Sequence, residues 1–261
     1  MTSPSRRAVR RPPLLFMVLA AAACLFLILP IVGLLFRAPW SDLPSLLTSS
    51  RVGDAVRISL VVSVTAAGAS LLVGVPLAWI LARWDFPGRA LLRGFVILPM
   101  VLPPVVGGAA LLFAFGRRGL IGEPLFEATG FLLPFSQWGA IAATTFIAMP
   151  FLVLTVEGGF RSLDRRYEAA AASLGARRWT VLWRVTLHMV GPSLLAGLLL
   201  AWARALGEFG ATITVAGNLQ GRTQTLPLAV FVALERDRGA AIAISLVGAI
   251  VGELPTGAQA G

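Results

Sequence analysis

The sequence predicts an all-α protein, a polytopic membrane bundle of six transmembrane helices. Three observations lead there. First, 57% of the 261 residues are hydrophobic and only 13% are charged, where soluble domains carry about 25% charged residues. Second, the apolar residues gather into runs close to the ~20 residues that cross a bilayer as helix, and mean hydropathy is +0.84. Third, the polar residues concentrate in one arginine-rich insert, 161–191, set between two such runs. Length and class together predict one domain.

Each element follows from its local sequence. Residues 1–13 form a basic N-terminal segment with Arg6, Arg7, Arg10 and Arg11. The first span, 14–36, exceeds the roughly 7–15-residue apolar core of a secretory signal. Ala21-Ala22-Ala23-Cys24 faintly resembles a lipoprotein cleavage site, but the apolar run continues well past Cys24. An uncleaved span is therefore expected. Further spans are read at 58–82, 94–115, 138–156 and 192–216. A sixth, 239–254, is short, and the tail 255–261 offers it no anchor. The membrane domain thus covers 14–254. Residues 226–234 are too few to span and are expected to re-enter or lie flat. Pro76, Pro99, Pro103, Pro104, Gly107, Gly108, Gly207 and Gly210 fall inside spans. Such residues make kinks and close helix contacts, because neighbours re-satisfy the freed backbone groups; kinked helices also line paths that open and close.

Arginine placement sets the expected orientation. All 22 basic residues are arginine. With the N-terminus inside, thirteen fall on the cytoplasmic side, eight outside, and Arg204 within a span. Basic residues favour the cytoplasmic face, so the insert is expected in the cytoplasm.

Several chemistries are excluded. One histidine, His188, cannot make a histidine metal cluster, and the single Cys24 rules out a disulfide within the chain. A phosphate-binding loop needs a lysine to reach the phosphates, and there is none. No catalytic residue, metal site or cofactor is expected in this chain; any ATP hydrolysis belongs to a partner. The net charge of +10 would suit nucleic acid, but the apolar content argues for a lipid bilayer and against nucleic acid.

The insert has its own logic. Asp164 is placed to cap a helix start, Glu168 lies in the early turns, and Arg177 and Arg178 lie near the end, an order that suits the helix dipole. Ala169, Ala170, Ala171 and Ala172 make a strong helix former with little to bury. Gly175 permits a tight turn or a close approach by another backbone. Two readings stand: an amphipathic loop on the membrane surface, or a helix seated in a groove of another protein. The alanine face is small for lipid and suits a groove.

At these residues the chain resembles the membrane subunits of bacterial ATP-binding-cassette importers of type I. Glu168, Ala169, Ala170, Gly175, Ala176 and Arg177 match that family's cytoplasmic coupling loop. Here Gly175 follows Glu168 by seven residues, one more than the commonest spacing, and the usual proline after the Val185-Thr186-Leu187 stretch comes only at Pro192. The resemblance implies a homodimeric permease, two ATP-binding subunits docked on the coupling helices, and a periplasmic substrate-binding protein. It implies alternating access in the bacterial inner membrane.

A second segment resembles the oxyanion branch of these permeases. It runs Arg204-Ala205-Leu206-Gly207-Glu208-Phe209-Gly210-Ala211-Thr212, then on to Arg222-Thr223-Gln224-Thr225-Leu226-Pro227. It is more similar to molybdate permeases than to sulfate ones, with sulfate/thiosulfate and tungstate permeases as neighbours. Arg204 and Glu208 are four apart, on one face of a helical span. Ionisable residues inside a span face a bundle interior or a watery path. They form either a structural ion pair or part of a translocation path with Thr212, in which Arg204 attracts a dianion and Glu208 prevents its trapping. Asn218, Gln220, Arg222 and Gln224 are expected outside, as a binding-protein face centred on Asn218 and Arg222 or as a solvated turn. An ion-gradient transporter would need carboxylates within spans, and Glu208 and Glu157 are the candidates. A passive anion channel would have no use for the insert.

Overall fold

The computed structural model describes residues 13–253. Residues 1–12 of the N-terminal segment, the last residue (254) of the expected sixth span and the tail 255–261 lie outside the described residues. Among those described there is no strand. The helices are α1 (Leu14–Phe36), α2 (Leu43–Leu47), α3 (Ser50–Arg83), α4 (Arg89–Val101), α5 (Pro104–Phe115), α6 (Gly122–Thr129) and α7 (Gln137–Ser162). Then come α8 (Arg165–Ser173), α9 (Arg178–Val181), a π-helical turn (Leu182–Thr186) and α10 (Leu187–Met189). The chain closes with α11 (Gly191–Leu206), α12 (Gly210–Ala216), α13 (Leu226–Arg236) and α14 (Arg238–Glu253). By length and composition α1, α3 and α7 are each able to cross a membrane alone, and two bent helix pairs reach that length together. At 1.5 Å per residue α3 is about 51 Å long, well beyond the ~30 Å hydrocarbon layer.

The core is built from α3, α7 and α11. Ile58 and Val62 of α3 meet Ala140 of α7, while Ala78 and Leu81 meet Leu152, Val156 and Phe160. The two helices therefore run parallel. α11 runs antiparallel to α7, with Gly159 beside Ser193 and Gly197 beside Val156. Small residues permit these approaches: Ala66, Ala78, Ala148 and Ala201 are all 0% exposed. In lipid, where tails are as apolar as leucine, close van der Waals packing between small residues drives helix association. The indole Nε1 of Trp202 donates to Ser63 Oγ at 3.0 Å, tying α11 to α3. In contrast, α1 has no buried residue at all.

Two expected spans differ from the sequence reading. The run 94–115 is not one helix: α4 and α5 meet at Leu102–Pro103 with a 119° bend. Pro103 and Pro104 both lack an amide hydrogen and their rings push the preceding residues out of the helical region, so the pair breaks the helix rather than kinking it. The run 192–216 is broken at 207–209 into α11 and α12. The close crossing of α5 over α12 explains the glycines there. A Cβ on Gly108 would stand 2.7 Å from Thr214 Cβ, and one on Gly210 would stand 3.0 Å from Pro104 Cβ.

Contacts fix which end of each helix is which. Arg83, at the end of α3, pairs with Glu168 of the insert. Arg93 of α4 reaches Glu157 near the end of α7. The opposite ends of α3 and α7 meet the 217–225 loop, where Arg57, Ser136 and Arg222 share one cavity. The chain therefore enters α4 at the insert end and leaves for α7 at the far end, so the bent α4–α5 pair crosses once. The same holds for α11 with α12. α13 packs on α14 and on the first turns of α3, through Val52, Ala55, Leu226, Ala229 and Ile244.

Candidate coupling arm and translocation segment

The insert forms a helical arm whose two ends are fixed by its own residues. Asp164 accepts a hydrogen bond from the Arg166 N–H at 2.9 Å and caps α8, as its position in the sequence suggests. The alanines carry α8 to Ser173. There Gly175 takes a left-handed conformation, φ +81°. The Gly175 N–H donates to Ala172 O at 3.0 Å and the Ala176 N–H to Ala171 O at 3.2 Å, a pattern that satisfies the last carbonyls of a helix. Nothing lies within 4 Å of a Cβ at Gly175. Of the two roles open to this glycine, it performs the turn.

Ala169, Ala170, Gly175 and Arg177 are exposed, and Ala176 is half-buried. Beside them Leu174 is 89% exposed and Tyr167 55%. With Trp179 at 71% and Trp183 at 65% further along the insert, these are its large exposed apolar groups, and sequence reasoning passed over them in favour of the alanines. Glu168 turns the other way. Its Oε1 lies 3.1 Å from Arg83 Nη2 and accepts from Thr186 Oγ1 at 2.8 Å. Both partners are largely withdrawn from water, with side-chain exposures of 9% for Arg83 and 25% for Glu168. One carboxylate thus ties α8 to the end of α3 and to the π-helical turn. Beyond that turn the chain bends by 69° into α11.

A second buried carboxylate lies close by. Glu157 of α7 is 1% exposed. Arg161 Nη2 approaches it to 2.7 Å and Arg93 Nη2 to 3.7 Å. Neither approach has hydrogen-bond alignment, so charge rather than directed bonding holds the group. The i,i+4 spacing of Glu157 and Arg161 was visible in the sequence; the third member, on α4, was not.

The Arg204–Glu208 pair forms, with Arg204 Nη1 2.7 Å from Glu208 Oε2. It does not lie on one continuous helix face. Arg204 lies in the last turn of α11, and Glu208 sits in the break. Glu208, 2% exposed, also accepts from the Ala211 N–H at 2.8 Å, which caps α12. The carboxylate therefore holds the break in shape, while Arg204 keeps 29% of its side chain exposed. Thr212 is 1% exposed and faces Thr144 across α7, with Oγ1 atoms 3.4 Å apart. In this conformation its hydroxyl is inside the protomer and not on an open path. In the following loop, Gln224 Nε2 donates to Asn218 Oδ1 at 2.9 Å, and the Leu219 N–H donates to Thr223 Oγ1 at 3.0 Å. Gly217 and Gly221 supply positive φ. Asn218 is thus spent on the loop itself, and Arg222 is exposed.

A small-residue core of long apolar helices, with a polar arm at one end, is the architecture of a multi-pass membrane protein. Residues 74–252 match the family of binding-protein-dependent transport system inner membrane components, and the chain belongs to it. It is 44% identical over 237 residues to the molybdenum transport system permease protein ModB of Mycobacterium tuberculosis, covering 90% of this chain and 89% of that one. It is 37% identical over 228 residues to the sulfate transport system permease protein CysT of Escherichia coli, covering 86% and 82%. Its fold matches a chain of a bacterial alginate ABC transporter solved in complex with an alginate pentasaccharide-bound periplasmic protein. That match has a TM-score of 0.71 at 20% identity and covers 93% of this chain and 91% of that chain.

Proposed function

We propose that this chain is the membrane-spanning permease of an ATP-driven molybdate importer. The observation that carries the reading is the 44% identity to a molybdenum permease over nearly the whole of both chains, set above 37% to the sulfate permease. Two ATP-binding subunits dock beneath the bilayer on the 168–177 arm, where Leu174 and Tyr167 supply apolar anchors. A periplasmic binding protein delivers the oxyanion at the opposite end, with Arg222 as part of its face. The N-terminus is cytoplasmic, consistent with the arginine bias. The permease is a homodimer; α1 buries nothing in its own protomer, which leaves its faces for lipid and a second copy. Closure of the ATP-binding subunits draws the two arms together, and the helices turn the path from inward- to outward-facing. The chain itself holds no cofactor and makes no covalent bond.

An ion-gradient mechanism has less support. Its two candidate carboxylates, Glu157 and Glu208, are both ion-paired to arginine within the protomer, and so are engaged in holding helices together. The deciding experiment reconstitutes the permease with its ATP-binding subunit and binding protein in vesicles. Molybdate is expected to stimulate ATP hydrolysis and uptake more than sulfate does. Greater stimulation by sulfate moves the assignment to the sulfate branch, and uptake without ATP removes it from this class.

Arg204 lines the path in this reading. Arg204→Gln is expected to lower uptake about tenfold, the loss of roughly one charge-assisted hydrogen bond to a dianion, with assembly preserved. Gel filtration of the complex and vesicle uptake check both halves. A variant that fails to assemble assigns the pair a purely structural role.

A further inference from the structure

We propose that a cavity at the end of the protomer remote from the coupling arm is a waiting site for the transported oxyanion. The proposal rests on the oxyanion reading above. The cavity measures about 340 Å³ and brings together Arg57 of α3, Phe135, Ser136 and Gln137 at the start of α7, and Gly221 and Arg222 of the 217–225 loop.

Arg57 and Arg222 come from distant parts of the chain and line one space. Among the described residues no carboxylate lies within 4.0 Å of either. Asp54, one turn before Arg57, flanks Gly221, with Oδ2 3.6 Å from where a Cβ would stand, yet it pairs with neither arginine. Two like charges facing one cavity repel each other unless an anion sits between them. Arginine's planar fork matches the oxygens of a tetrahedral oxyanion.

The rest of the lining agrees with this. Ser136 Oγ accepts from the Gly139 N–H at 3.1 Å. Among the described residues, nothing accepts a hydrogen bond from the backbone amides of Gln137 and Trp138. They stand at the positive end of a 26-residue helix, where unsatisfied N–H groups favour negative charge. The Gln137 side-chain amide adds a donor without adding charge, while the Ser136 hydroxyl donates to Leu133 O and holds the turn in shape. Phe135 closes the wall with φ +56°, a costly backbone for an aromatic residue. Its N–H donates to Val215 O at 3.0 Å, which links the wall to the end of α12.

Size points to weak, reversible binding. Liquid water takes about 30 Å³ per molecule, so the cavity holds a tetrahedral anion with part of its hydration shell. An anion that keeps water leaves easily, as a site on the way to a gate requires.

The test uses the assembled transporter in lipid nanodiscs, without binding protein, and equilibrium dialysis against radiolabelled molybdate. The wild type is expected to bind at low salt, more weakly as ionic strength rises. Arg57→Gln and Arg222→Gln are each expected to weaken binding about tenfold, and the double lysine variant is expected to restore part of it. Wild type that binds no molybdate while binding-protein-dependent uptake is intact overturns this site and leaves the transport reading standing. So do glutamine variants that bind like wild type. Variants that lose capture of unliganded binding protein but keep molybdate binding turn the arginines into docking contacts. Failure of both uptake and binding for every oxyanion instead removes the transport reading itself.

Discussion

Arg83→Ala and Glu168→Ala are each expected to cut uptake per ATP hydrolysed by about tenfold or more, with the hydrolysis rate of the assembled complex largely kept. A hydrogen bond to a charged group is worth about 1.5–3 kcal/mol, and this one is made where both side chains are mostly out of water. Without it α8 is held to α3 only through the backbone of α7 and the loose contacts of the arm. Motion imparted to α8 then dissipates in the arm before it reaches the membrane helices. The ratio of molybdate accumulated to ATP consumed, measured in vesicles, reads this directly. Glu168→Gln keeps an acceptor for Thr186 but loses the ion pair with Arg83, so it should fall between the alanine variant and wild type. An Arg83→Ala transporter with wild-type uptake per ATP would show that the tether plays no part in transmission. Variants that no longer bind the ATP-binding subunit would instead place Glu168 in the docking surface.

The second large effect is on the core. Gly159→Val is expected to destabilise the permease by about 3 kcal/mol or more, at the upper end for overpacking. A Cβ there would stand 2.5 Å from Ser193 Cβ and Oγ and 2.9 Å from Val190 Cγ1, so α11 must move away from α7. Gly158 is the control on the same helix. Nothing lies within 4 Å of its Cβ, and Gly158→Ala is expected to be neutral or slightly stabilising, since alanine restricts the unfolded chain more than glycine. Thermal unfolding in detergent, followed by loss of the monodisperse peak, compares the two. Equal midpoints for the two variants would mean that the α7–α11 contact is looser than the geometry indicates.

The sequence made the class of fold plain because membrane spans are written in local composition, and local signals survive without a structure. Asp164 as a cap and Gly175 as a turn were legible for the same reason: each acts within a few residues of itself. The breaks at 102–103 and 207–209 were harder. Apolar runs do not reveal whether a proline pair bends a helix or ends it, and a glycine–glutamate pair reads as helix until the capping bond from Ala211 is seen. The ties that assemble the sites were not legible at all. Arg83 with Glu168, Arg93 with Glu157, and Arg57 beside Arg222 join segments far apart in the chain. Nothing in the periodicity of one helix announces its partner on another. For the same reason the sequence places Glu168 in the coupling helix without announcing its inward ties to Arg83 and Thr186.

The first helix carries a consequence of its own. Because none of its 23 residues is buried and only Val32 and Leu34 are half-buried, its sequence answers chiefly to whatever lies alongside it. The remaining helices keep their packing whether it is there or not. Substitutions on α1 are therefore free to retune membrane thickness or choice of neighbour while the transport machinery stays untouched, so drift in this protein's lineage should concentrate at its leading edge.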